Sequence, residues 1–424
     1  ILRNFGAGLV NMKTYDIAVI GGGASGLMAA VSAAAECRRL SKPASIAVLE
    51  KNARAGKKIL MTGNGRCNLT NTGVNVKAYR GDTGLLKPVL NKYPAERVVD
   101  IFKSMGLLCR ETDGGRVYPY NMQASSVLNI LLRRMESYGV EMVCGFDVDG
   151  VKKSGDGFTV SSQDGSVAAK KLIFAFGGMA CPQSGSDGKC FSVLKPLGHK
   201  TTKLFPSLVQ VKTDLQLVRP LKGVRSLAEA SFCAGGKRVK SEKGEVQFTE
   251  SGLSGICVFD LARLAGEYGN ETKPYISLDL MPEYTRDDIA AFLQKECYEM
   301  PELPAGRLAD GFLNKALGTE VIKRAVSDVS APAGKLTADG IRRAAGTVKG
   351  LDFPVDGTLS WDKAQVTAGG VPLREVNADM SSKACGGVYL CGELLNVDGI
   401  CGGYNLHWAF ASGDMAGRSA ARGL

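Results

Sequence analysis

The sequence is poor in the residues that bind transition metals. It contains only two histidines, His199 and His407, and none of its twelve cysteines forms a C-x-x-C pair. Structural zinc sites use four histidine or cysteine ligands at close spacing. The pattern therefore predicts no metal site.

Long apolar runs are also absent, since none approaches the roughly 18 residues that cross a bilayer. Residues 1–11 are mildly apolar, but they lack the charged start and the cleavage site of a secretory signal. A predicted strand follows Met12 almost at once, so we expect Met12 to be the natural start. These features predict a cytoplasmic protein that has reduced thiols and does not bind a membrane.

Positive charge is concentrated in one part of the chain. The net charge is +11, of which residues 1–281 carry +14 and residues 282–424 carry −3. The densest basic run comprises Lys237, Arg238, Lys240 and Lys243. A solvated hairpin is the simpler interpretation of this run, and a contact for an anionic partner such as RNA is the alternative.

The beginning of the chain has the pattern of a β-α-β unit. Residues 15–20 and 45–50 form apolar runs typical of buried strands, and residues 24–37 have helical spacing. Between the first strand and the helix lies G-x-G-x-x-G, residues 21–26. Such glycines allow a tight turn and let the backbone approach a pyrophosphate at the helix N-terminus. Glu50 ends the second strand and could hold an adenosine ribose, so the unit predicts dinucleotide binding.

A loop rich in small and polar residues follows the second strand. Residues 56–71 read GKKILMTGNGRCNLTN, and residues 392–406 read GELLNVDGICGGYNL. Both strings resemble the BaiN-like family of NAD(P)/FAD-dependent oxidoreductases, which includes aminoacetone oxidase-like FAD-binding flavoproteins. Residues 115–119, 176–188, 244–255 and 364–371 resemble further motifs of that family. The chain departs from these motifs at Phe176, Ile256 and His407, where the family often has Thr, Pro and Gln.

The resemblance implies an α/β fold. We expect a Rossmann-like FAD-binding domain built from both chain ends and interrupted by a β-barrel-like plus helical insert. The predicted boundaries are 12–194 for the first part of the FAD domain, 195–281 for a β-rich insert, 282–350 for a helical insert and 351–424 for the second part.

The resemblance also implies the residues of an FAD site. The cofactor-binding residues that we expect are Gly21, Gly22, Gly23, Ala24, Ser25, Gly26, Glu50, Lys51, Lys58, Thr62, Gly63, Asn64, Arg66, Cys67, Asn68, Phe176, Gly177, Gly178, Gly392, Glu393, Asp398, Gly402, Gly403, Tyr404 and Asn405. The last four open the final helix. Their N–H groups and the positive helix end can face the pyrimidine edge of the flavin, where reduced flavin carries negative charge.

Two residues are hypothetical catalytic groups. Tyr118, together with Arg116, could orient a carbonyl or an anion over the flavin, although both could be structural. His407 could donate a proton, and a buried histidine satisfied within its helix is the alternative. Cys67 has no neighbouring cysteine, which favours a packing role over a redox thiol.

The resemblance implies FAD-dependent reduction of a polarised C=C bond next to a carbonyl group, with NAD(P)H as a transient co-substrate and a small molecule as substrate. NAD(P)H must dock transiently, because the sequence has no second G-x-G-x-x-G. The alternatives are reduction of uracil in RNA, which has the same conjugated bond, and oxidation of a small amine such as aminoacetone. A non-enzymatic FAD-dependent scaffold or redox sensor is the alternative of another class.

Overall fold

The computed structural model describes residues 12–189 and 191–424. The expectation that Met12 is the natural start concerns residues 1–11, which lie outside the described residues. Two compact units are present. The first unit contains the described residues up to Phe205 and again Gln365–Leu424, and the second contains Pro206–Ala364.

The described residues include twenty strands and twelve α-helices. The strands are β1 (Lys13–Ile20), β2 (Ile46–Glu50), β3 (Thr70–Asn71), β4 (Tyr79–Gly81), β5 (Cys109–Thr112), β6 (Arg116–Pro119), β7 (Glu141–Cys144), β8 (Val148–Ser154), β9 (Gly157–Ser162), β10 (Gly165–Phe174), β11 (Phe205–Ser207), β12 (Val211–Lys212), β13 (Arg225–Ala234), β14 (Lys237–Thr249), β15 (Gly252–Ser254), β16 (Tyr275–Asp279), β17 (Leu351–Pro354), β18 (Val366–Ala368), β19 (Val388–Leu390) and β20 (Val397–Gly399). The α-helices are α1 (Ala24–Arg39), α2 (Lys57–Met61), α3 (Leu86–Lys92), α4 (Ala95–Ser104), α5 (Ala124–Ser137), α6 (Phe191–Leu194), α7 (Leu215–Val218), α8 (Ile256–Tyr268), α9 (Arg286–Glu299), α10 (Lys315–Ala325), α11 (Ala338–Lys349) and α12 (Tyr404–Arg422). None of these helices is both long enough and apolar enough to span a membrane.

The first unit is organised around a mixed sheet in the order β7-β2-β1-β10-β9-β8, with β19 also paired to β10. The pairs β7–β2, β2–β1, β1–β10 and β10–β19 are parallel, and β8 and β9 add an antiparallel hairpin. Parallel neighbours place their carboxyl ends at one edge of a sheet. The residues that follow β1, β2, β10 and β19 therefore meet at the same edge. This sheet and the surrounding helices confirm the predicted Rossmann-like α/β fold.

Helices α1 and α12 pack directly on each other, so the two chain ends form one core. A Cβ atom on Gly413 would collide with the Ser25 carbonyl oxygen, and one on Gly417 with that of Ala29. The helices therefore approach backbone to backbone at these two glycines.

Buried charges join the same two helices. The Glu36 side chain is fully buried and accepts hydrogen bonds from Arg39 at 2.8 Å, Arg422 at 2.7 Å and Arg418 at 3.3 Å. Mainly because of Arg39, and also of Arg422, the pKa of Glu36 falls to about 2, although burial acts in the opposite direction. The charge of Glu36 is therefore compensated, as a buried carboxylate requires.

The second unit has a six-stranded antiparallel sheet in the order β12-β15-β14-β13-β16-β17. Helix α9 begins with a capping box between Thr285 and Asp288. Strand β17 pairs with β16, so residues 351–354 belong to this sheet. The observed unit boundaries, at 205/206 and 364/365, thus differ from the predicted boundaries at 194/195 and 350/351.

Candidate functional site

The glycine turn after β1 contains one glycine that the protein itself does not require. Gly21 has φ +106°, and a Cβ atom there would lie 2.6 Å from the Ala175 carbonyl oxygen. On Gly22 it would lie 2.9 Å from Ala55 Cβ, and on Gly26 it would collide with the Gly21 carbonyl oxygen. On Gly23, with φ −85°, it would have no atom of the described residues within 4 Å. The open space beside Gly23 lies at the N-terminus of α1, where a phosphate is favoured.

Glu50 lies beside this turn at the carboxyl end of β2. Its Oε2 accepts a hydrogen bond from the Gly22 N–H at 2.7 Å, and its Oε1 accepts from the Asn52 N–H at 2.8 Å and from Asn52 Nδ2 at 2.6 Å. The carboxylate is therefore held in one orientation. Lys51 forms an ion pair with Asp187 at 2.9 Å. Asn52 is a positioning residue that the motif analysis did not select.

The loop after α2 makes a tight left-handed path. Thr62 caps the helix by donating to the Ile59 carbonyl oxygen at 2.7 Å. Gly63 and Asn64 have φ values of +56° and 54°. Gly63, Asn64 and Arg66 are exposed, whereas Cys67 and Asn68 are buried. Burial raises the pKa of the Cys67 thiol to about 12, which favours the packing role over a reactive thiolate.

An ion pair connects α2 to the segment that follows β19. Lys58 Nζ donates to Glu393 Oε2 at 2.7 Å and to the Ala180 carbonyl oxygen at 3.2 Å. Glu393 Oε1 accepts from the Thr367 N–H at 2.7 Å. Thr367 Oγ1 in turn accepts from the N–H groups of Met179 at 2.7 Å and Ala180 at 2.9 Å. Thr367 lies in a recognised motif, but sequence reasoning did not identify it as the residue that joins three segments.

The segment after β10 packs against the same threonine. A Cβ atom on Gly178 would collide with Thr367 Oγ1. Gly177 has φ +81°, and the half-buried Phe176 ring makes edge contacts with Phe174 and Phe191 at 6.2 and 5.4 Å between centroids. The segment therefore needs a residue without a side chain at position 178, because Thr367 occupies the space beside it.

The residues after β19 and β20 lead to the N-terminus of α12. A Cβ atom on Gly392 would collide with Ser25 Oγ, which places Gly392 against the first turn of α1. Asn405 Oδ1 accepts from the Gly399 N–H at 2.8 Å, and its Nδ2 donates to the Gly399 carbonyl oxygen at 2.8 Å. Asp398 is buried in β20, which pairs with β4.

Three more residues, which the motif analysis did not select, hold this helix terminus. Asn71 Nδ2 donates to the Gly402 carbonyl oxygen at 3.0 Å. The Tyr79 hydroxyl donates to the Tyr404 carbonyl oxygen at 3.0 Å. Thr70 crowds Gly403, because a Cβ atom there would lie 2.5 Å from the Thr70 carbonyl oxygen. These contacts fix the position of the first turn of α12.

The structure places the two hypothetical catalytic residues differently. Tyr118 is half-buried, and its ring edge faces Gly63, where a Cβ atom would lie 3.4 Å from Tyr118 Cε1. His407 is fully buried, with Nδ1 2.8 Å from Thr70 Oγ1. Burial lowers the pKa of His407 to about 4, and the backbone of Tyr93 offsets only part of this lowering. His407 Nε2 has no hydrogen-bond partner among the described residues. A neutral, enclosed imidazole favours the structural interpretation of His407.

The edge of the sheet has the features that a dinucleotide needs. Gly23 leaves open space at one helix N-terminus, and Glu50 offers a fixed carboxylate beside it. At the N-terminus of α12, Asn68 Oδ1 is buried and has no hydrogen-bond partner among the described residues. The residues present therefore fit a bound dinucleotide cofactor. Arg66 is exposed.

Known proteins resemble the chain over almost its whole length. The family model described as HI0933-like protein Rossmann domain matches residues 15–419. The 3-dehydro-bile acid delta(4,6)-reductase of Clostridium scindens is 35% identical over 410 residues, covering 96% of this chain and 98% of that protein. The ribosomal RNA dihydrouridine synthase of Escherichia coli is 26% identical over 411 residues, covering 95% and 96%.

A solved structure shows the same fold at low identity. The 3-ketosteroid delta1-dehydrogenase from Sterolibacterium denitrificans, in complex with 1,4-androstadiene-3,17-dione, superposes with a TM-score of 0.51 and 14% identity. The match covers 97% of this chain and 100% of that one.

Proposed function

We propose that this chain, which belongs to the HI0933-like Rossmann family, reduces a polarised C=C bond next to a carbonyl group and uses NAD(P)H as reductant. The chain is an FAD-dependent oxidoreductase. The observation that carries the finer proposal is its 35% identity, over 96% of its length, to a reductase of 3-dehydro bile acids. The substrate that we propose is accordingly a small enone.

The residues at the sheet edge would hold the cofactor. The N–H groups at the N-terminus of α1 would bind the pyrophosphate beside Gly23, and the Glu50 carboxylate would bind the adenosine ribose. The first turn of α12, opened by Gly403, would face the pyrimidine edge of the flavin. When bound, FAD supplies the hydride that the β carbon of an enone accepts.

Tyr118 is the residue that we propose as proton donor. Its side chain is half-buried beside Gly63 in the loop that follows α2, whereas His407 is fully buried. Reduction of an enone needs an acid for the α carbon, and a tyrosine hydroxyl can perform that role. A second role for Tyr118, hydrogen bonding to the carbonyl oxygen, would polarise the same substrate.

Reduction of uracil in RNA is the second proposal, because relatives named ribosomal RNA dihydrouridine synthase match 95% of the chain at 26% identity. The basic run in β14 gives this proposal little support. Lys240 pairs with Glu242 at 2.6 Å and Lys243 with Glu229 at 3.6 Å, which neutralises half of the run. Lys237 remains exposed, but one or two surface cations bind RNA weakly.

An anaerobic absorbance titration tests these proposals. The purified protein is titrated with NADH and with NADPH, and the loss of flavin absorbance near the visible maximum is followed. Two acceptors, an enone steroid or bile acid and ribosomal RNA, are then added separately to the reduced protein, and aminoacetone, an electron donor, is added to the oxidised protein. Bleaching by a nicotinamide followed by reoxidation with the enone is the expected result. Reoxidation by RNA alone would favour the second proposal, and bleaching by the amine alone would refute both.

A further inference from the structure

Three asparagines lie around the N-terminus of α12, and the protein itself satisfies two of them. Asn71 Oδ1 accepts from the Gly73 N–H at 2.8 Å, and its Nδ2 donates to the carbonyl oxygens of Gly114 and Gly402 at 2.9 and 3.0 Å. Asn405 makes a reciprocal pair with the Gly399 peptide group at 2.8 Å in both directions. Both side chains therefore have an internal structural role.

Asn68 differs from these two residues. It is 8% exposed, and its Oδ1 is buried with no hydrogen-bond partner among the residues that the structure describes. A buried acceptor left without a donor destabilises the folded protein. Buried polar groups in folded proteins almost always have a partner, so an unsatisfied one at a binding site indicates a donor on the ligand.

The surroundings of Asn68 define what kind of ligand would supply that donor. A Cβ atom on Gly403 would lie 2.7 Å from Asn68 Oδ1, so this oxygen lies at the N-terminus of α12, a helix of 19 residues. The first-turn N–H groups of the helix are donors, and the Asn68 oxygen beside them is an acceptor. A ring edge on which carbonyl, N–H and carbonyl alternate matches this combination. The pyrimidine edge of a flavin is such an imide.

We propose that Asn68 Oδ1 accepts the hydrogen bond of the flavin imide N3–H, while the N-terminus of α12 donates to the adjacent carbonyl oxygen. This inference rests on the FAD site proposed above and assigns Asn68 a specificity role within it. Asn68 then selects a ring that carries an imide proton. It contributes equally to binding of the oxidised and the reduced cofactor, because N3–H is present in both.

A cofactor analogue isolates this single hydrogen bond. The full-length protein is freed of its flavin and reconstituted with FAD and with 3-methyl-FAD, in which a methyl group replaces the N3 proton. Dissociation constants are measured by flavin fluorescence. The wild-type protein should bind 3-methyl-FAD about tenfold or more weakly than FAD, which corresponds to one lost hydrogen bond and the crowding of Oδ1 by the methyl group. For Asn68→Ala, the dissociation constants of FAD and 3-methyl-FAD should lie within about twofold of each other.

Asn71→Ala is the matched control. It removes a neighbouring amide whose partners are all within the protein, so it should weaken both flavins by the same factor and keep the preference for FAD. Asn68→Asp provides a second variant if Asn68→Ala folds poorly. It retains an acceptor and should keep the preference, while its negative charge near reduced flavin should lower the reduction potential.

Two results would overturn the inference. In one, wild-type protein binds FAD and 3-methyl-FAD equally. In the other, Asn68→Ala retains the full preference for FAD, which would mean that another group reads the imide. If Asn68→Ala lowers the reduction potential but leaves the discrimination intact, the Asn68 oxygen faces N5 or the substrate and the N3 assignment is wrong. Failure of the wild-type protein to bind FAD at all would instead refute the proposed FAD site.

Discussion

Substitution of Gly23 by alanine should separate cofactor binding from folding. A Cβ atom at this position has no atom of the described residues within 4 Å, and the backbone is extended at φ −85° and ψ −168°. Restricting the unfolded chain stabilises the protein by about 0.4–1 kcal/mol. Alanine is a poorer N-cap than glycine by a similar amount. The two effects oppose each other, so the apoprotein should change in stability by less than about 1 kcal/mol.

The effect on the cofactor should be much larger. A methyl group beside Gly23 takes the space in which a pyrophosphate would approach the N-terminus of α1. Each charge-assisted hydrogen bond to a phosphate contributes about 1.5–3 kcal/mol. The loss of two such bonds weakens binding by about 3–6 kcal/mol, or about 10²- to 10⁴-fold.

The assay compares flavin content and stability in the same preparations. Visible absorbance per mole of protein measures retained FAD, reconstitution gives the dissociation constant, and urea unfolding of the apoprotein gives stability. Gly386→Ala is the matched control, since a Cβ atom there also meets no atom of the described residues within 4 Å and its φ is not left-handed. Wild-type flavin content and affinity in Gly23→Ala would refute the proposed position of the pyrophosphate.

Three further predictions concern the proton donor, the thiol and the buried carboxylate. Tyr118→Phe should slow reoxidation of the reduced flavin by an enone about 10²- to 10⁴-fold, with unchanged reduction by nicotinamide; equal stopped-flow rates for both steps would exclude Tyr118 as the acid. Cys67→Ala should keep turnover within a few-fold, because burial raises the pKa of this thiol to about 12; complete loss of steady-state turnover in a variant that retains FAD would indicate thiol chemistry. Because the folded-state pKa of Glu36 lies near 2, below its ordinary value of 4.5, its stabilisation of about 1–3 kcal/mol should be present above pH 4.5 and lost as the pH falls towards 2. Urea unfolding of the wild type and Glu36→Gln should therefore converge at low pH, and parallel curves would contradict this origin of the stability.

The parts of the fold that follow from local patterns could be predicted from the sequence. Strand β1, the glycine turn and α1 are adjacent in the chain, and each has its own periodicity or turn signal. The final helix α12 could be predicted for the same reason, because Gly403 marks its start. Local order of this kind depends on residues that are close in sequence, and a single sequence displays them directly.

Features that depend on distant pairing could not be predicted in the same way. Strand β17 belongs to the sheet of the second unit because it pairs with β16, a contact that no local pattern records. The Lys58–Glu393 ion pair joins residues 335 positions apart, and Thr367 binds N–H groups about 188 positions away. In the sequence His407 could be either a proton donor or a buried structural histidine, and only its three-dimensional burial shows an enclosed imidazole.

The motif residues divide into those that the protein needs and those that only a ligand explains. Gly26 and Gly178 are glycines because a side chain would collide with neighbouring protein atoms, and Asn71 and Asn405 are satisfied by peptide groups. Gly23 and Asn68 have no such internal reason. The open space beside Gly23 restricts the shape of a ligand. The Asn68 acceptor, which has no donor, restricts the hydrogen bonds that the ligand can make. Because they lie at the N-termini of the two helices that form one core, α1 and α12, a single extended dinucleotide would account for both.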